Sequence, residues 1–168
     1  MEVLEAIKTR RSIRKYKKDP VPQEKINKIL DAARWAPSGH NSQPWEFIIL
    51  RDANVRKDLA KVLPFGGFMA DAPLGIAVVV DPAASFHPID DGAAATQNIL
   101  LATHTLGLGG CWIGTSNTPY EEAAKDVLGV PKEKILLSVV PIGYPDQSPE
   151  RTRKELIIFN NRYGSKLS

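Results

Sequence analysis

The pentapeptide Arg10-Arg11-Ser12-Ile13-Arg14 is the stretch on which the interpretation of the whole chain depends. It places three guanidinium groups and one hydroxyl directly after a short segment with helically spaced apolar residues, Val3, Leu4 and Ile7. The planar fork of an arginine matches the oxygens of a phosphate, and a serine hydroxyl adds a donor at short range. The pattern predicts an anion-binding turn after a first helix, with a solvated basic surface turn as the alternative.

The overall composition is that of an ordinary globular protein. Of the 168 residues, 43% are hydrophobic and 24% are charged, and the formal net charge is +3. We therefore expect one domain, residues 1–168, with a hydrophobic core of its own. The net charge is mild, and outside 10–18 and 151–154 the basic residues are spread along the chain, so the composition does not call for nucleic acid.

The cysteine count, the histidine spacing and the hydropathy of the chain exclude several classes of site and of protein. The single cysteine, Cys111, excludes a disulfide framework and a cysteine-rich zinc site. The three histidines, His40, His87 and His104, lack metal-ligand spacing with an acid or a cysteine. The first residues do not resemble a signal peptide, and no apolar run approaches the roughly 20 residues that span a bilayer. We expect a cytoplasmic protein with no metal and no membrane association.

Apolar periodicity and turn residues divide the chain into alternating helices and strands. Helices are predicted over 2–9, 22–35, 54–63 and 90–106, and from the capping box Thr118-Pro119-Tyr120-Glu121 to Gly129. Strands are predicted over 45–50, 74–80, 110–114 and 135–143. This alternation predicts a layered α/β or α+β domain around one central sheet.

The glycine-rich segment 107–114 suggests a dinucleotide site, but its context excludes one. The pattern G-x-G-x-x-G would need a glycine where Trp112 stands, and the segment follows a helix instead of a strand. Cys111 is a conceivable nucleophile, but no paired base is evident and free cysteines are commonly just buried. His104 is expected to be a helix residue with a local hydrogen-bond partner.

Four segments, taken in order, resemble the nitroreductase family of FMN-dependent oxidoreductases. The segment Arg10 to Tyr16 is similar to the family's phosphate motif, and Pro37-Ser38-Gly39-His40-Asn41-Ser42-Gln43-Pro44-Trp45 is similar to its P-S-x-x-N-x-Q-P-W signature. The Gly110–Gly114 strand and Arg151-x-Arg153 follow in the family's order. The resemblance covers nearly the whole chain and implies a nitroreductase-like fold, with a central mixed sheet flanked by helices.

The resemblance also implies an FMN site whose residues are far apart in sequence. The FMN phosphate would be held by Arg10, Ser12 and Arg153, with Arg11 and Arg151 close by. Arg14 would lie near the N1 and O2 edge of the flavin, where a fixed cation favours the reduced form. The ring would be covered by residues from the other subunit of a dimer, Pro37, Ser38, Gly39 and Asn41, and Gln43 belongs to the same cofactor-binding set.

On the other side of the ring, the resemblance places Trp112, Ile113 and Gly114 along the flavin, with a backbone N–H near N5. For Trp112 a plain core aromatic is an equal alternative. Phe65 and Phe68 flank two glycines and are predicted to line the substrate pocket, as a mobile lid over the open face of the flavin. No residue is assigned as a catalytic acid or base, because the cofactor carries the chemistry.

The C-terminal segment, about 148–168, is interpreted as an arm exchanged across a homodimer. Its apolar piece Leu156–Phe159 follows a polar connector and fits poorly into a closed monomer. Family members use such an arm to embrace the partner subunit, adding a strand to its sheet. The resemblance thus implies two flavins at the interface of an obligate homodimer.

The implied activity is transfer of hydride from NAD(P)H, through FMN, to a small electron-poor acceptor such as a nitroaromatic or a quinone, by a ping-pong mechanism. The segment 69–92 is too short for the helical insertion with which longer members shape the substrate pocket, so the acceptor stays open. One alternative is a specialised member acting on one metabolite, by enone reduction, halogenated-aromatic chemistry or ring oxidation. Another is a non-enzymatic module that binds phosphate or nucleic acid through residues 10–18.

Overall fold

The continuous apolar run Leu74–Val80 forms an interior strand of the sheet, and the predicted strand over 74–80 is confirmed. The computed structural model describes residues 1–165, and within them this strand, β2, pairs with β1 (Trp45–Leu50) and β5 (Ile135–Gly143). Every residue of β2 is buried. Its side chains alternate between two apolar cores, one on each face of the sheet, because successive strand residues point to opposite faces.

Helices cover both faces of this sheet. One core contains residues of α2 (Gln23–Arg34) and α4 (Pro88–Thr105), and the other contains residues of α3 (Ala53–Val62) and α5 (Glu121–Leu128). A first short helix, α1 (Val3–Thr9), packs beside α4. The predicted α+β layered class is therefore confirmed. Among residues 1–165, no helix is both long and apolar enough to cross a membrane.

Two short strands complete the far edge of the sheet. β3 (Gly109–Gly110) and β4 (Ile113–Gly114) both pair antiparallel with β5 and keep one register along it. In that register Cys111 lies opposite Pro141, which has no backbone N–H to donate. The two pieces therefore form one strand, which is interrupted where it lies opposite Pro141. This is the segment predicted as a single strand over 110–114.

The predicted mixed character of the sheet needs a correction. All pairs between the strands β1 to β5 are antiparallel, and the parallel pairing in the described residues is one isolated bridge between Ser12 and Gly110. The chain leaves β1 at Leu50, passes through α3, and enters β2 beside the same point, since Leu50 pairs with Gly75. Helix-strand alternation therefore does not determine strand direction here.

The predicted capping box before α5 is wrong, although the helix itself is confirmed. The Thr118 hydroxyl donates to the carbonyl of Thr115, and the helix begins two residues later than predicted, at Glu121. The Glu121 carboxylate accepts from the backbone N–H of Asn117 at 2.8 Å and from that of Leu136 in β5 at 3.2 Å. In a capping box this carboxylate would accept from the N–H of Thr118. Here it accepts instead from Asn117 and from the sheet.

Other helix ends agree with local sequence signals. The Asp52 carboxylate accepts from the backbone N–H of Asn54 at 2.7 Å and caps α3, as predicted. Gly107 and Gly129 follow α4 and α5 in the left-handed region, with φ of 74° and 67°. The start of α4 was predicted at 90 or 91, but the helix begins at Pro88, because a proline suits the first turn.

Candidate functional site

The segment Arg10–Arg14 lies along the edge of the sheet and not on a helix. Ser12 forms the bridge with Gly110, and the backbone N–H of Ile13 donates to the carbonyl of Gly110 at 3.0 Å. Behind it, the buried Tyr16 hydroxyl donates to the carbonyls of Ile13 and Pro141. Burial raises the pKa of Tyr16 well above its ordinary value, so this hydroxyl stays a donor. The backbone that carries the arginines is thereby held against β3.

Gly109 makes this close approach possible. A Cβ atom at position 109 would lie 2.4 Å from Cγ1 of Ile13, which is a buried residue. Real Cβ atoms do not come that close, so only glycine fits there without moving the arginine segment. The glycines of 107–110 are a recognisable signal in the sequence, but sequence reasoning did not assign Gly109 to the site. Its role depends on a neighbour almost a hundred residues earlier in the chain.

Arginines from the two ends of the chain meet at one cavity of about 230 Å³. Its walls contain the residues predicted to bind phosphate together with the one predicted at the flavin edge: Arg10, Arg11, Ser12, Arg14, Arg151 and Arg153, with Pro149. No acidic side chain lines the cavity, and within residues 1–165 none of these arginines forms an ion pair. Such a cluster is arranged to bind an anion.

The electrostatics of the cavity reflect this excess of positive charge. Burial, and then the neighbouring guanidiniums of Arg153 and Arg11, lower the pKa of Arg10 from its ordinary value. Arginine nevertheless stays protonated in proteins, so the lowered pKa expresses a repulsion that a bound anion would relieve. Arg11 is oriented by the backbone, because its guanidinium donates to the carbonyls of Lys8 at 2.7 Å and Arg10 at 2.9 Å.

His104 borders this cluster from α4. Burial, followed by the charges of Arg10 and Arg11, lowers the pKa of His104. The expectation of a local hydrogen-bond partner is wrong, because its Nε2 lies 2.8 Å from the hydroxyl of Thr9 on α1. Helices far apart in sequence are therefore joined by a polar contact beside the arginines.

The loop predicted to cover the flavin lies outside the arginine cavity of its own chain. Asn41 and Gln43 line a separate cavity of about 440 Å³ beside Trp35. Pro37, Ser38 and Gly39 line another, of about 450 Å³, next to the start of α4. One chain thus brings the predicted phosphate ligands together but does not bring the predicted ring-covering residues to them.

The same loop has an unusual backbone. His40, Asn41 and Gln43 all have positive φ, of 53°, 57° and 48°. Non-glycine residues rarely adopt this left-handed region, and each instance costs of the order of 1 kcal/mol or more. Internal hydrogen bonds offset part of this cost, since the Ser38 hydroxyl accepts from the N–H of Gln43 at 3.0 Å. The loop therefore has a defined backbone conformation that its internal hydrogen bonds help to stabilise.

The strand predicted to run along the flavin exposes backbone and one aromatic side chain. Ile113 is buried in the core beneath the sheet, so it can reach a ligand through its main chain alone. Trp112 is 36% exposed and Gly114 is exposed, which disfavours the core-aromatic alternative for Trp112. Cys111 is buried, and burial raises the pKa of its thiol, as expected for an inert cysteine.

The two phenylalanines predicted for the substrate pocket differ in exposure. Phe65 is 83% exposed, whereas Phe68 is partly buried in a short 3-10 helix, Gly67–Asp71. The Arg14 guanidinium lies 5.8 Å from the centre of the Phe68 ring, within the range of a cation–π contact. In the part of the chain described here, no cluster of three or more His, Cys, Asp or Glu could hold a metal.

The C-terminal segment has no helix or strand over 148–165, and 166–168 lie outside the described residues. Leu156 and Ile157 are more than 80% exposed, and Phe159 contacts only the Tyr163 ring among aromatic side chains described, at 4.7 Å. In a single chain, therefore, the apolar piece Leu156–Phe159 is not covered. Its pairing with a partner's sheet stays a prediction.

Comparison with known proteins shows which family and which solved structures this chain resembles. The family model described as "Nitroreductase family" matches residues 7–65 and 61–144. A protein of Methanothermobacter thermautotrophicus named "Putative NADH dehydrogenase/NAD(P)H nitroreductase" is 44% identical over 155 residues, which cover 89% of this chain and 80% of that protein. The solved structure of an FMN-dependent nitroreductase from Clostridium difficile is 34% identical, with a TM-score of 0.89 and coverage of 95% and 99%. An iodotyrosine deiodinase from Thermotoga neapolitana is 26% identical over 93% of this chain and 96% of its own.

Proposed function

The chain belongs to the nitroreductase family and has its fold, and from this premise we propose that it is an FMN-dependent oxidoreductase. It takes hydride from NAD(P)H and reduces a small electron-poor acceptor, such as a nitroaromatic or a quinone. The observation that carries this proposal is the cavity in which early and late arginines meet, with no acidic partner among the residues described. The names of the relatives from C. difficile and M. thermautotrophicus support FMN and NAD(P)H.

The cavity residues fit the phosphate of FMN. A phosphomonoester carries nearly two negative charges and three acceptor oxygens. Arg10 and Arg153 repel each other in the present arrangement, and a dianion between them would turn that repulsion into attraction. Ser12 lies on a backbone held to the sheet edge, so its hydroxyl can donate from a defined position. Arg11 and Arg151 complete the cationic wall.

The remaining site residues act by position and charge. Bound FMN would supply the hydride chemistry, so no side chain of this chain is needed as a catalytic acid or base. Arg14, near Phe68, would present its cation to the flavin edge that becomes negative on reduction. The main chain of Trp112, Ile113 and Gly114 would face the ring and keep water from it. Phe65 and Phe68 are proposed to line the space where the acceptor binds.

A homodimer would complete the site. Pro37, Ser38, Gly39, Asn41 and Gln43 lie outside the arginine cavity of their own chain, so we propose that they cover the ring bound to the partner. Exposed apolar side chains support an interface: α1 displays Val3, Leu4 and Ile7, Trp35 is exposed at the end of α2, and the arm displays Leu156 and Ile157.

Spectroscopy of the purified protein tests this function. We expect a yellow protein with a flavin spectrum, from which heat releases FMN and not riboflavin. Anaerobic NADH or NADPH should bleach the spectrum, and a nitroaromatic or quinone should restore it, with parallel double-reciprocal plots for a ping-pong mechanism. A colourless protein that does not take up added FMN would contradict the proposal.

A second candidate is a specialised enzyme that acts on one halogenated aromatic. The similarity to an iodotyrosine deiodinase over nearly the whole chain favours it among the specialised activities. Both candidates share the flavin and differ in the acceptor. Steady-state assays with halotyrosines, nitroaromatics and quinones, compared by kcat/KM, distinguish them, since a specialised enzyme should prefer one acceptor by orders of magnitude.

The arm gives a prediction about assembly. Replacing both Leu156 and Ile158 by aspartate should weaken the dimer by at least about 100-fold, because two apolar side chains would lose burial against the partner. Sedimentation equilibrium of the full-length variant measures this change. The control is truncation after Tyr163, which keeps the apolar piece and should leave the dimer intact. A wild-type monomer that retains FMN would refute the exchanged arm and the shared site.

A further inference from the structure

We propose that the buried carboxylate of Asp91 is a positioning residue that holds the Pro37–Trp45 loop in the shape required to cover the flavin. The inference rests on the proposed function and deepens it, because it names what keeps the ring-covering loop in place. Asp91 belongs to α4 and is not among the residues that line the arginine cavity.

Hydrogen bonds from two different loops converge on this carboxylate. Its Oδ1 accepts from the backbone N–H of Gly39 at 2.9 Å. Its Oδ2 accepts from the hydroxyl of Ser85 at 2.6 Å and, more weakly, from that of Ser42 at 3.4 Å. Asp91 is only 5% exposed, and no cation pairs with it among the residues that the structure describes. Its charge is therefore balanced by hydrogen-bond donors, most of which belong to the loop.

The loop needs such a tether because its own backbone is costly. Three of its residues, His40, Asn41 and Gln43, have left-handed backbone conformations, and this strained shape persists only if the surroundings stabilise it. The bonds made by Ser38 and the Asn41 amide are internal to the loop. At its far end, the carbonyl of Pro44 accepts from the N–H of Asp81 at 2.9 Å. At the other end of the loop, the Asp91 carboxylate binds the N–H of Gly39.

A carboxylate suits this contact better than a neutral side chain does. An ionised carboxylate accepts at both oxygens, and hydrogen bonds to it are stronger than those between neutral groups. Asparagine has the same shape, but its NH₂ group would have to donate to the Ser85 and Ser42 hydroxyls, so the charge-assisted bonds to Oδ2 would be lost. In addition, Asp91 lies in the first turn of α4, where the helix dipole favours a negative charge.

The Asp91→Asn variant should separate the loop from the phosphate site. Because the arginine cavity is untouched while the loop covers the ring, the affinities for FMN and for riboflavin should fall by the same factor, and the preference for FMN should be unchanged. The loop should lose its shape, so flavin reduction by NAD(P)H should slow by about 10- to 100-fold, as misplacement of positioning groups does. Flavin fluorescence should rise as the ring becomes less covered. In the FMN-free protein, amide hydrogen exchange at 38–43 should accelerate at least tenfold.

Asp90→Asn is the matched control, because Asp90 is the exposed neighbour on the same helix turn and contacts His87 at 3.8 Å. This variant should match the wild type in reduction rate, fluorescence and loop exchange. Ser85→Ala removes one donor from the carboxylate and should slow reduction by about threefold to tenfold. If Asp91→Asn does not fold, Ser85→Ala decides: a slower reduction with faster loop exchange supports the tether, and unchanged behaviour overturns it.

The outcomes also separate this inference from the proposed function. A colourless wild type that cannot be reconstituted overturns the function and the role of Asp91 together. A yellow, active wild type whose Asp91→Asn variant keeps its reduction rate, fluorescence and loop exchange overturns the role of Asp91 alone. A variant that loses its preference for FMN over riboflavin also overturns it, since that result would show damage that reaches the arginine cavity.

Discussion

Replacing Arg10 by glutamine should weaken FMN binding by about 10- to 100-fold while leaving riboflavin binding nearly unchanged. Arg10 is partly buried in the wall of the cavity, and the charges of Arg153 and Arg11 already act on it. Losing a charge-assisted hydrogen bond to a phosphate costs about 1.5–3 kcal/mol, which corresponds to this loss in affinity. Titration of the FMN-free protein with FMN and with riboflavin, followed by quenching of flavin fluorescence, measures both constants.

Two further variants make this test specific. Arg51→Gln removes the same charge from an exposed side chain that contacts Gln23, away from the cavity, and should leave the preference for FMN intact. Arg153→Gln should resemble Arg10→Gln, and the double variant should lose less than the product of the two effects, because both residues are proposed to bind one phosphate. An equal loss of FMN and riboflavin affinity in Arg10→Gln would contradict the role in phosphate binding.

Replacing Gly109 by alanine should damage both stability and cofactor binding. The new methyl group would lie 2.4 Å from Cγ1 of Ile13 and 2.7 Å from its Cβ, so the backbone that carries the arginines must move away from β3. Overpacking of this kind costs about 1–3 kcal/mol of unfolding free energy. Because Ser12 and Arg10 move with Ile13, FMN affinity should fall at least about tenfold. Urea denaturation of the FMN-free protein and FMN titration report the two effects.

The control for this substitution is Gly67→Ala. A Cβ at position 67 meets no atom within 4 Å, so this alanine should change the unfolding free energy by less than about 1 kcal/mol. FMN affinity should also stay at the wild-type value. If Gly109→Ala behaved like Gly67→Ala, the arginine segment would not depend on close contact with β3, and our account of how the site is held would be wrong.

Elements with a strong local pattern were predictable from the sequence. The run Leu74–Val80 is apolar at every position and forms a doubly buried strand, and Asp52 caps the helix that follows it in sequence. The capping box at Thr118 was mispredicted because Glu121 bonds to the backbone of β5, a partner that no local pattern reveals. The mixed sheet that the resemblance implied is also corrected, since strand direction depends on how the chain returns to the sheet.

By itself, the sequence determined the chemistry of the site: a cluster of guanidiniums and a hydroxyl that suits a phosphate, in a chain whose motifs match one family. The reason is that charge and hydrogen-bonding capacity belong to the side chains themselves. The tertiary structure brings Arg153 to Arg10, as the resemblance implied, and it alone decided that Gly109 admits Ile13 and that Asp91 reaches Gly39. These contacts join residues far apart in the chain, and the packing of β3, α4 and the C-terminal segment creates them.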